Sequence, residues 1–309
     1  MTLLFCSTSA GIAGAWVDEL ARRLPDLAVR VWPEPGDPAD IDMALVWKPP
    51  PGLLAGLPNL KLVLSLGAGV EPLLLDPTLP AVPLVRMVSE GLTADMAGYV
   101  ALQVLRWHRR LDDYTAQQEA AAWTPLEVRP AAAVTVGILG LGELGTAAAR
   151  TLRSMDYRVL GWSRTPKTVA GMECVSGPDG LAALLGRSDI LVCLLPLTAE
   201  TRGILNRALF AALPPGAVVV NAARGGHLVE ADLLEALDRG HLAGASLDVF
   251  AEEPLPPGHP FWRHPKIRIT PHMAAVTHAA LCADSVAEAI RAFREGRPLP
   301  NLVDRARGY

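Results

Sequence analysis

Gly140-Leu141-Gly142-Glu143-Leu144-Gly145 is the stretch that decides the fold. It follows an apolar run at 134–139 and opens a segment of small residues at 146–154. A G-x-G-x-x-G between a strand and a helix has a physical reason at each glycine. The first makes the tight turn, the second lets the backbone approach a pyrophosphate, and the third lets the helix pack on the strand. With 27 glycines in 309 residues, chance matches to the bare pattern are expected. Here strand, turn and helix surround it in the required order, so the stretch reads as a dinucleotide-binding turn rather than a structural glycine turn. Glu143 and Leu144, inside the motif, join the three glycines as expected cofactor contacts.

The next apolar run, 158–162, ends where an NAD enzyme places Asp or Glu on the adenosine ribose. This chain has Trp162-Ser163-Arg164-Thr165-Pro166-Lys167 there and no acid. Ser163, Arg164 and Lys167 supply hydroxyl and cationic groups suited to a 2′-phosphate. NADP(H) is therefore the preferred cofactor and NAD(H) the alternative. The bland reading of Arg164 and Lys167 is a pair of solvated loop charges.

Working outward, apolar runs and helical patterns alternate at 158–162, 181–185, 190–194, 217–221, 231–237, 244–249 and 267–270, which describes a doubly wound sheet. The first third repeats the theme at 2–6, 15–24, 44–47 and 62–66, with prolines at 33–38 and 49–51 marking loops. Met96, Val100, Val104, Trp107 and Leu111 predict one long helix over 93–114, followed by an irregular segment at 115–130. A last helix at 279–295 leads back to the first domain. The expected architecture is α/β, with two doubly wound parallel-sheet domains, flavodoxin-like and Rossmann, and a cleft between them. The substrate domain takes 1–95 plus 285–309, and the dinucleotide-binding domain takes 96–284.

Hydrophobic residues make up 50% and charged ones 19%, enough apolar material for two buried sheets. A net charge of −4 gives no general reason to bind nucleic acid or an anionic membrane. No uncharged run approaches the ~20 residues of a membrane span, and the opening residues do not read as a leader, so a cytoplasmic protein is expected. Cys6, Cys174, Cys193 and Cys282 form no C-x-x-C pair and read as reduced thiols.

Three later segments place polar residues at strand ends: Asn221-Ala222-Ala223-Arg224-Gly225-Gly226, Leu247-Asp248-Val249-Phe250-Ala251-Glu252-Glu253-Pro254 and Thr270-Pro271-His272-Met273. Strand C-termini of a doubly wound sheet line one crevice, which brings an arginine, a carboxylate and a histidine toward the cofactor. Singly, each has an ordinary explanation: a loop anchor, a surface acid, a structural histidine. Together, behind a dinucleotide motif, they read as a catalytic set. The spacings of His259, His264, His272 and His278 match no standard zinc pattern, so no metal is expected.

In these segments the chain resembles the D-isomer-specific 2-hydroxyacid dehydrogenase family. Supporting stretches are Leu66-Gly67-Ala68-Gly69-Val70, residues 107–114, Gly161-Trp162-Ser163-Arg164-Thr165, the Arg224 loop, residues 247–257, Pro271-His272 and residues 303–309. The resemblance implies that Arg224 binds the substrate carboxylate and carbonyl oxygen, that His272 is the proton donor, and that Glu253 rather than Glu252 bonds His272. It also places Asp248 at the nicotinamide amide and Leu195 and Pro196 among the cofactor contacts. Gly67-Ala68-Gly69 is the substrate-carboxylate loop, whose amides suit an anion. Trp47 and Lys48 are candidates for the opposite wall, with Trp47 reading equally as packing. Residues 115–130 resemble the arm by which family dimers embrace, Trp123 being either a residue that reaches the partner or one packed locally.

The implied activity is NADPH-dependent reduction of small 2-oxo acids, glyoxylate to glycolate and hydroxypyruvate to D-glycerate, by a homodimer. The alternatives are a reductase of a bulkier 2-oxo acid and a nucleotide-sensing, corepressor-like binding protein.

Overall fold

The computed structural model describes residues 1–8 and 11–308. Tyr309, the last residue of the terminal stretch that carries part of the resemblance, lies outside them. The chain forms two compact units, residues 1–92 with 277–309 and residues 93–276.

In the first unit the elements are β1 (Thr2–Ser7), α1 (Ala13–Arg23), β2 (Ala28–Val31), β3 (Met43–Trp47), β4 (Leu62–Ser65), α2 (Glu71–Leu74) and β5 (Leu84–Val85). All strands are parallel, in the order β2-β1-β3-β4-β5. That is the 2-1-3-4-5 order of a flavodoxin-like sheet. β3 and β4 are buried almost throughout, because a parallel sheet is covered on both faces and its strands need continuous apolar runs.

α3 (Glu90–His108) and α4 (Leu111–Glu119) follow. The Ser89 hydroxyl accepts the Leu92 N–H at 3.2 Å and starts α3. The helix expected over 93–114 is thus two helices. Arg110 stands in the left-handed region with φ of 57°, which ends the α-helical ladder, and Asp112 just beyond is gripped by Arg106 and by Arg268. The apolar spacing from Trp107 to Leu111 runs straight across the break and conceals it. α4 also makes the start of the segment expected to be irregular helical.

The second unit continues with β6 (Thr135–Leu139), α5 (Glu143–Ser154), β7 (Arg158–Ser163), β8 (Glu173–Ser176), α6 (Gly177–Leu185), β9 (Ile190–Cys193), α7 (Arg207–Ala212), β10 (Ala217–Asn221), α8 (Glu230–Asp238), β11 (Leu242–Leu247) and β12 (Ile267–Ile269). Its seven parallel strands lie in the order β12-β11-β10-β9-β6-β7-β8, a Rossmann sheet that reverses between β6 and β9. Alternation along β10 shows the two buried faces: Val218 and Val220 join Val136 and Ile138 in one core, whereas Ala217 and Val219 join Leu139 and Leu247 in the other. Cys193, fully buried in β9, is a packing residue whose thiol burial pushes up to about 12. Cys6 and Cys282 are buried as well.

α9 (Ala279–Arg294) returns to the first unit and packs on α1, with Arg23 bonded to Asp284 and Arg294 to Asp26. The border expected at 284/285 therefore moves to 276/277, because α9 packs as a whole helix; the other moves from 95/96 to 92/93. β2, β5 and β8, which the apolar runs do not reveal, are short edge strands of four, two and four residues. Among the described residues, no helix is long and apolar enough to cross a membrane.

Candidate active site

Each glycine of the deciding stretch has the surroundings its role requires. Gly140 takes φ of 105°, and a Cβ there would stand 2.7 Å from the Leu194 carbonyl oxygen. A Cβ on Gly145 would stand 1.8 Å from the Gly140 carbonyl oxygen, so only glycine lets α5 sit this close to β6. At Gly142 a Cβ would meet nothing within 4 Å. That open approach lies at the N-terminus of α5, where the first amides, Glu143 and Leu144 among them, have no intrahelical acceptor and suit a pyrophosphate. The cradle fits a dinucleotide.

At the end of β7, the Lys167 ammonium donates to the Leu141 carbonyl at 2.9 Å and so lies on the glycine turn itself. Arg164 pairs with Glu200 at 2.7 Å, both side chains well exposed. The Ser163 hydroxyl donates to the Thr165 carbonyl at 2.8 Å, a bond that a phosphate has to replace in order to take that proton. Two cations and a hydroxyl thus stand on one loop at the end of β7, beside the glycine turn.

The catalytic candidates stand at the C-terminal ends of β10, β11 and β12, along the same edge as the glycine turn because all strands are parallel. His272 Nδ1 lies 2.8 Å from Glu253 Oε2 and 3.0 Å from Oε1. Glu253 Oε1 also accepts the Phe250 N–H at 3.2 Å, which orients the carboxylate. Glu252 is exposed, and the acid that bonds the histidine is Glu253. Arg224 comes close through its neighbour: a Cβ on Gly225 would stand 1.8 Å from the Phe250 carbonyl carbon, so the arginine loop rests directly on the backbone that leads to Glu253. The Arg224 carbonyl accepts from Asn221 Nδ2 at 3.1 Å, and its guanidinium donates to the Ala223 carbonyl at 2.6 Å.

Asp248 has a role that sequence reasoning did not foresee. It is 1% exposed. Its Oδ1 accepts the Thr270 hydroxyl at 2.6 Å and the Met273 N–H at 2.8 Å, its Oδ2 accepts the Ala274 N–H at 2.9 Å, and its carbonyl accepts the His272 N–H at 2.8 Å. Since Thr270 donates to Asp248, the Tyr99 hydroxyl donates to Thr270, at 2.8 Å. Burial pushes the Tyr99 phenol up to about 12, so this outer donor keeps its proton. The network holds His272 in the left-handed backbone, φ of 56°, an uncommon state for a residue with a side chain. Thr270 stands in the quoted strand-end segment without revealing this role, and Tyr99, far away in the chain, carries no signal at all.

In the first unit, β3 and β4 are neighbours and bring the expected substrate residues together. The Trp47 indole covers Gly67 so closely that a Cβ there would stand 2.1 Å from Cζ3, and the Lys48 ammonium lies 5.8 Å from the indole centroid. Gly67 donates its N–H to Ser65 Oγ at 3.1 Å, which shapes the turn that continues through Ala68 and Gly69. Trp123 is 96% exposed, which excludes local packing. Among the described residues, no group of three or more His, Cys, Asp or Glu is placed to hold a metal ion.

A histidine fixed by a carboxylate, at the sheet edge that carries a dinucleotide turn, is equipped to deliver a proton where a nicotinamide delivers hydride. This places the chain in the class of dinucleotide-dependent dehydrogenases. The model of the D-isomer specific 2-hydroxyacid dehydrogenase NAD binding domain matches residues 101–274, more than half of the chain, and the chain belongs to that family. A glyoxylate/hydroxypyruvate reductase A of Serratia proteamaculans (strain 568) is 46% identical over 303 residues, covering 96% of each chain. Among solved structures, a D-isomer specific 2-hydroxyacid dehydrogenase of Xanthobacter autotrophicus Py2, in complex with NADPH and MES, superposes with a TM-score of 0.95 at 42% identity, covering 99% of each chain. An NADPH-dependent glyoxylate/hydroxypyruvate reductase of Sinorhizobium meliloti, in complex with NADP and sulfate, gives 0.94 at 43% identity, covering 100% of this chain and 99% of that one.

Proposed function

We propose that this chain is an NADPH-dependent reductase of small 2-oxo acids, converting glyoxylate to glycolate and hydroxypyruvate to D-glycerate. The relatives of Serratia proteamaculans and Sinorhizobium meliloti, similar over nearly their full lengths, support the substrate class. The observation that carries the chemistry is the His272 Nδ1 to Glu253 bond of 2.8 Å.

Ser163, Arg164 and Lys167 would hold the 2′-phosphate of NADPH, which when bound would supply the hydride for C2 of the substrate. Gly140, Gly142, Gly145 and the amides of Glu143 and Leu144 hold the pyrophosphate, and Leu195, Pro196 and Asp248 line the remainder of the cofactor site. Arg224 binds the carboxylate and the carbonyl oxygen, drawing charge onto the oxygen as the C–H bond forms. His272, with a proton on each ring nitrogen, gives the one on Nε2 to that oxygen, while Glu253 accepts the N–H of Nδ1 and holds the orientation this requires. Gly67, Ala68 and Gly69 offer amides to the substrate carboxylate, with Trp47 and Lys48 as neighbouring walls. NAD(H) serves as the second cofactor.

A homodimer is part of the reading. Leu102, Leu105, Leu111 and Trp123, on α3, α4 and the segment after it, expose apolar surface that a second copy would cover. The partners are otherwise small molecules, and the four cysteines, none of them in a disulfide, suit a cytoplasmic setting.

The test is to follow cofactor absorbance with NADPH and, separately, NADH, on addition of glyoxylate, hydroxypyruvate and phenylpyruvate. Oxidation of NADPH by the two small acids, faster than of NADH, is expected. Preference for phenylpyruvate would move the assignment to bulkier acids. No turnover with any 2-oxo acid would leave the nucleotide-sensing alternative in its place.

A further inference from the structure

His227 lies in the turn after Arg224 and is fully buried, with 0% exposure. Its Nδ1 lies 3.1 Å from the Arg224 carbonyl oxygen and its Nε2 3.2 Å from the Pro196 carbonyl oxygen. Carbonyl oxygens only accept, so the ring donates wherever it bonds, and it ties both segments when both of its nitrogens carry hydrogen. The Pro196 carbonyl also accepts the Thr201 hydroxyl at 2.7 Å, and the two segments are pressed together at Gly226, where a Cβ would stand 2.9 Å from Leu197 Cδ2.

The Arg224 turn is thus fastened on two sides. Gly225 seats it on the Phe250 backbone, and the His227 imidazole spans from it to the segment that follows β9. We propose that His227 is a positioning residue that ties the backbone of Arg224 to the Pro196 segment, so that the group that binds substrate and the segment that lines the cofactor site keep one spacing. The inference rests on the reading of Arg224 and Pro196 given above. A buried imidazole suits this task because its two nitrogens point in divergent directions from one rigid ring, and no apolar side chain of that size can make either bond.

Three variants separate positioning from mere packing. An asparagine amide nitrogen falls near the place of Nδ1, and a glutamine amide nitrogen near the place of Nε2. His227→Asn therefore keeps the bond to Arg224 and loses Pro196, His227→Gln does the reverse, and His227→Phe loses both. Wild-type turnover with NADPH and glyoxylate tests the underlying reading first. NADPH dissociation constants from nucleotide fluorescence, KM for glyoxylate, kcat and melting temperature are then measured for each variant.

His227→Asn is expected to weaken NADPH binding by about tenfold while glyoxylate KM stays near wild type, and His227→Gln to raise glyoxylate KM by about tenfold while NADPH binding holds, each the loss of one buried hydrogen bond. Parallel shifts of both parameters in both variants, tracking the melting temperature, would show a structural role only and overturn the proposal, as would wild-type parameters in both. Should His227→Phe fail to fold, the contrast between asparagine and glutamine still decides.

Discussion

The loops that follow β12 and β7 end two strands of one sheet and are built on opposite principles. The first, carrying His272, is held by a buried carboxylate that accepts a hydroxyl and two backbone amides, backed by Tyr99 from α3. The second, carrying Arg164 and Lys167, is held by exposed charges, of which the Arg164–Glu200 pair is a surface ion pair worth about 0–1 kcal/mol. Proton transfer demands a fixed donor angle, and the bonds to Glu253 and Asp248 supply it. Recognition of a mobile phosphate demands charge nearby and little else, and a loosely held guanidinium exchanges one anion for another at small cost. The difference teaches that buried bonds are concentrated on the loop proposed for catalysis, while the loop proposed for cofactor choice relies on a few replaceable surface groups.

The largest expected effect breaks the first side of this contrast at its working end. His272→Asn removes the proposed proton donor while tolerating the left-handed backbone that Asp248 imposes. Steady-state kinetics should show kcat for glyoxylate falling by about 10²- to 10⁴-fold, the usual worth of a positioned general acid. NADPH binding and the melting temperature should stay near wild type, because the loop hangs on Asp248 and not on the imidazole. Retention of most turnover would remove His272 from the mechanism.

Next in size is the second loop. Arg164→Ala should raise KM for NADPH by about tenfold, the worth of one charge-assisted contact, and leave KM for NADH unchanged. Stability should change by less than about 0.5 kcal/mol, as for surface sites in general. An NADPH preference equal to wild type would refute the assignment of the Ser163–Lys167 loop to the 2′-phosphate.

What was legible in the sequence follows the same division. The glycine turn, the missing acid after β7 and the Arg224, Glu253 and His272 segments are local patterns, in which the residue type and its strand-end position together carry the chemistry. Both parallel sheets were legible because strands buried on two faces are unbroken apolar runs. The break at Arg110 was not, since a single left-handed residue leaves the apolar spacing intact. The edge strands β2, β5 and β8 were not either, being too short for periodicity to register. Least legible were the supports. Tyr99 is separated from Thr270 by 171 residues, and His227 bonds Pro196 across 31, so only the folded chain puts these groups beside the residues they hold.

The smallest effect sharpens the contrast most. Tyr99→Phe keeps the ring in its buried place and deletes only the hydroxyl that donates to Thr270. Thr270 then keeps its bond to Asp248 but loses a donor, at a cost of about 1 kcal/mol. Thermal unfolding should show this as a melting temperature lowered by about 2–4 °C for a unit of this size. Turnover should change little, because Asp248 still accepts the Met273 and Ala274 amides and still accepts the His272 N–H at its carbonyl. If the histidine loop is over-determined, its outermost bond contributes to stability and not to rate. A fall in kcat as deep as that of His272→Asn would mean instead that the loop depends on a single chain of bonds from Tyr99 inward, and that the two loops differ less in kind than in burial.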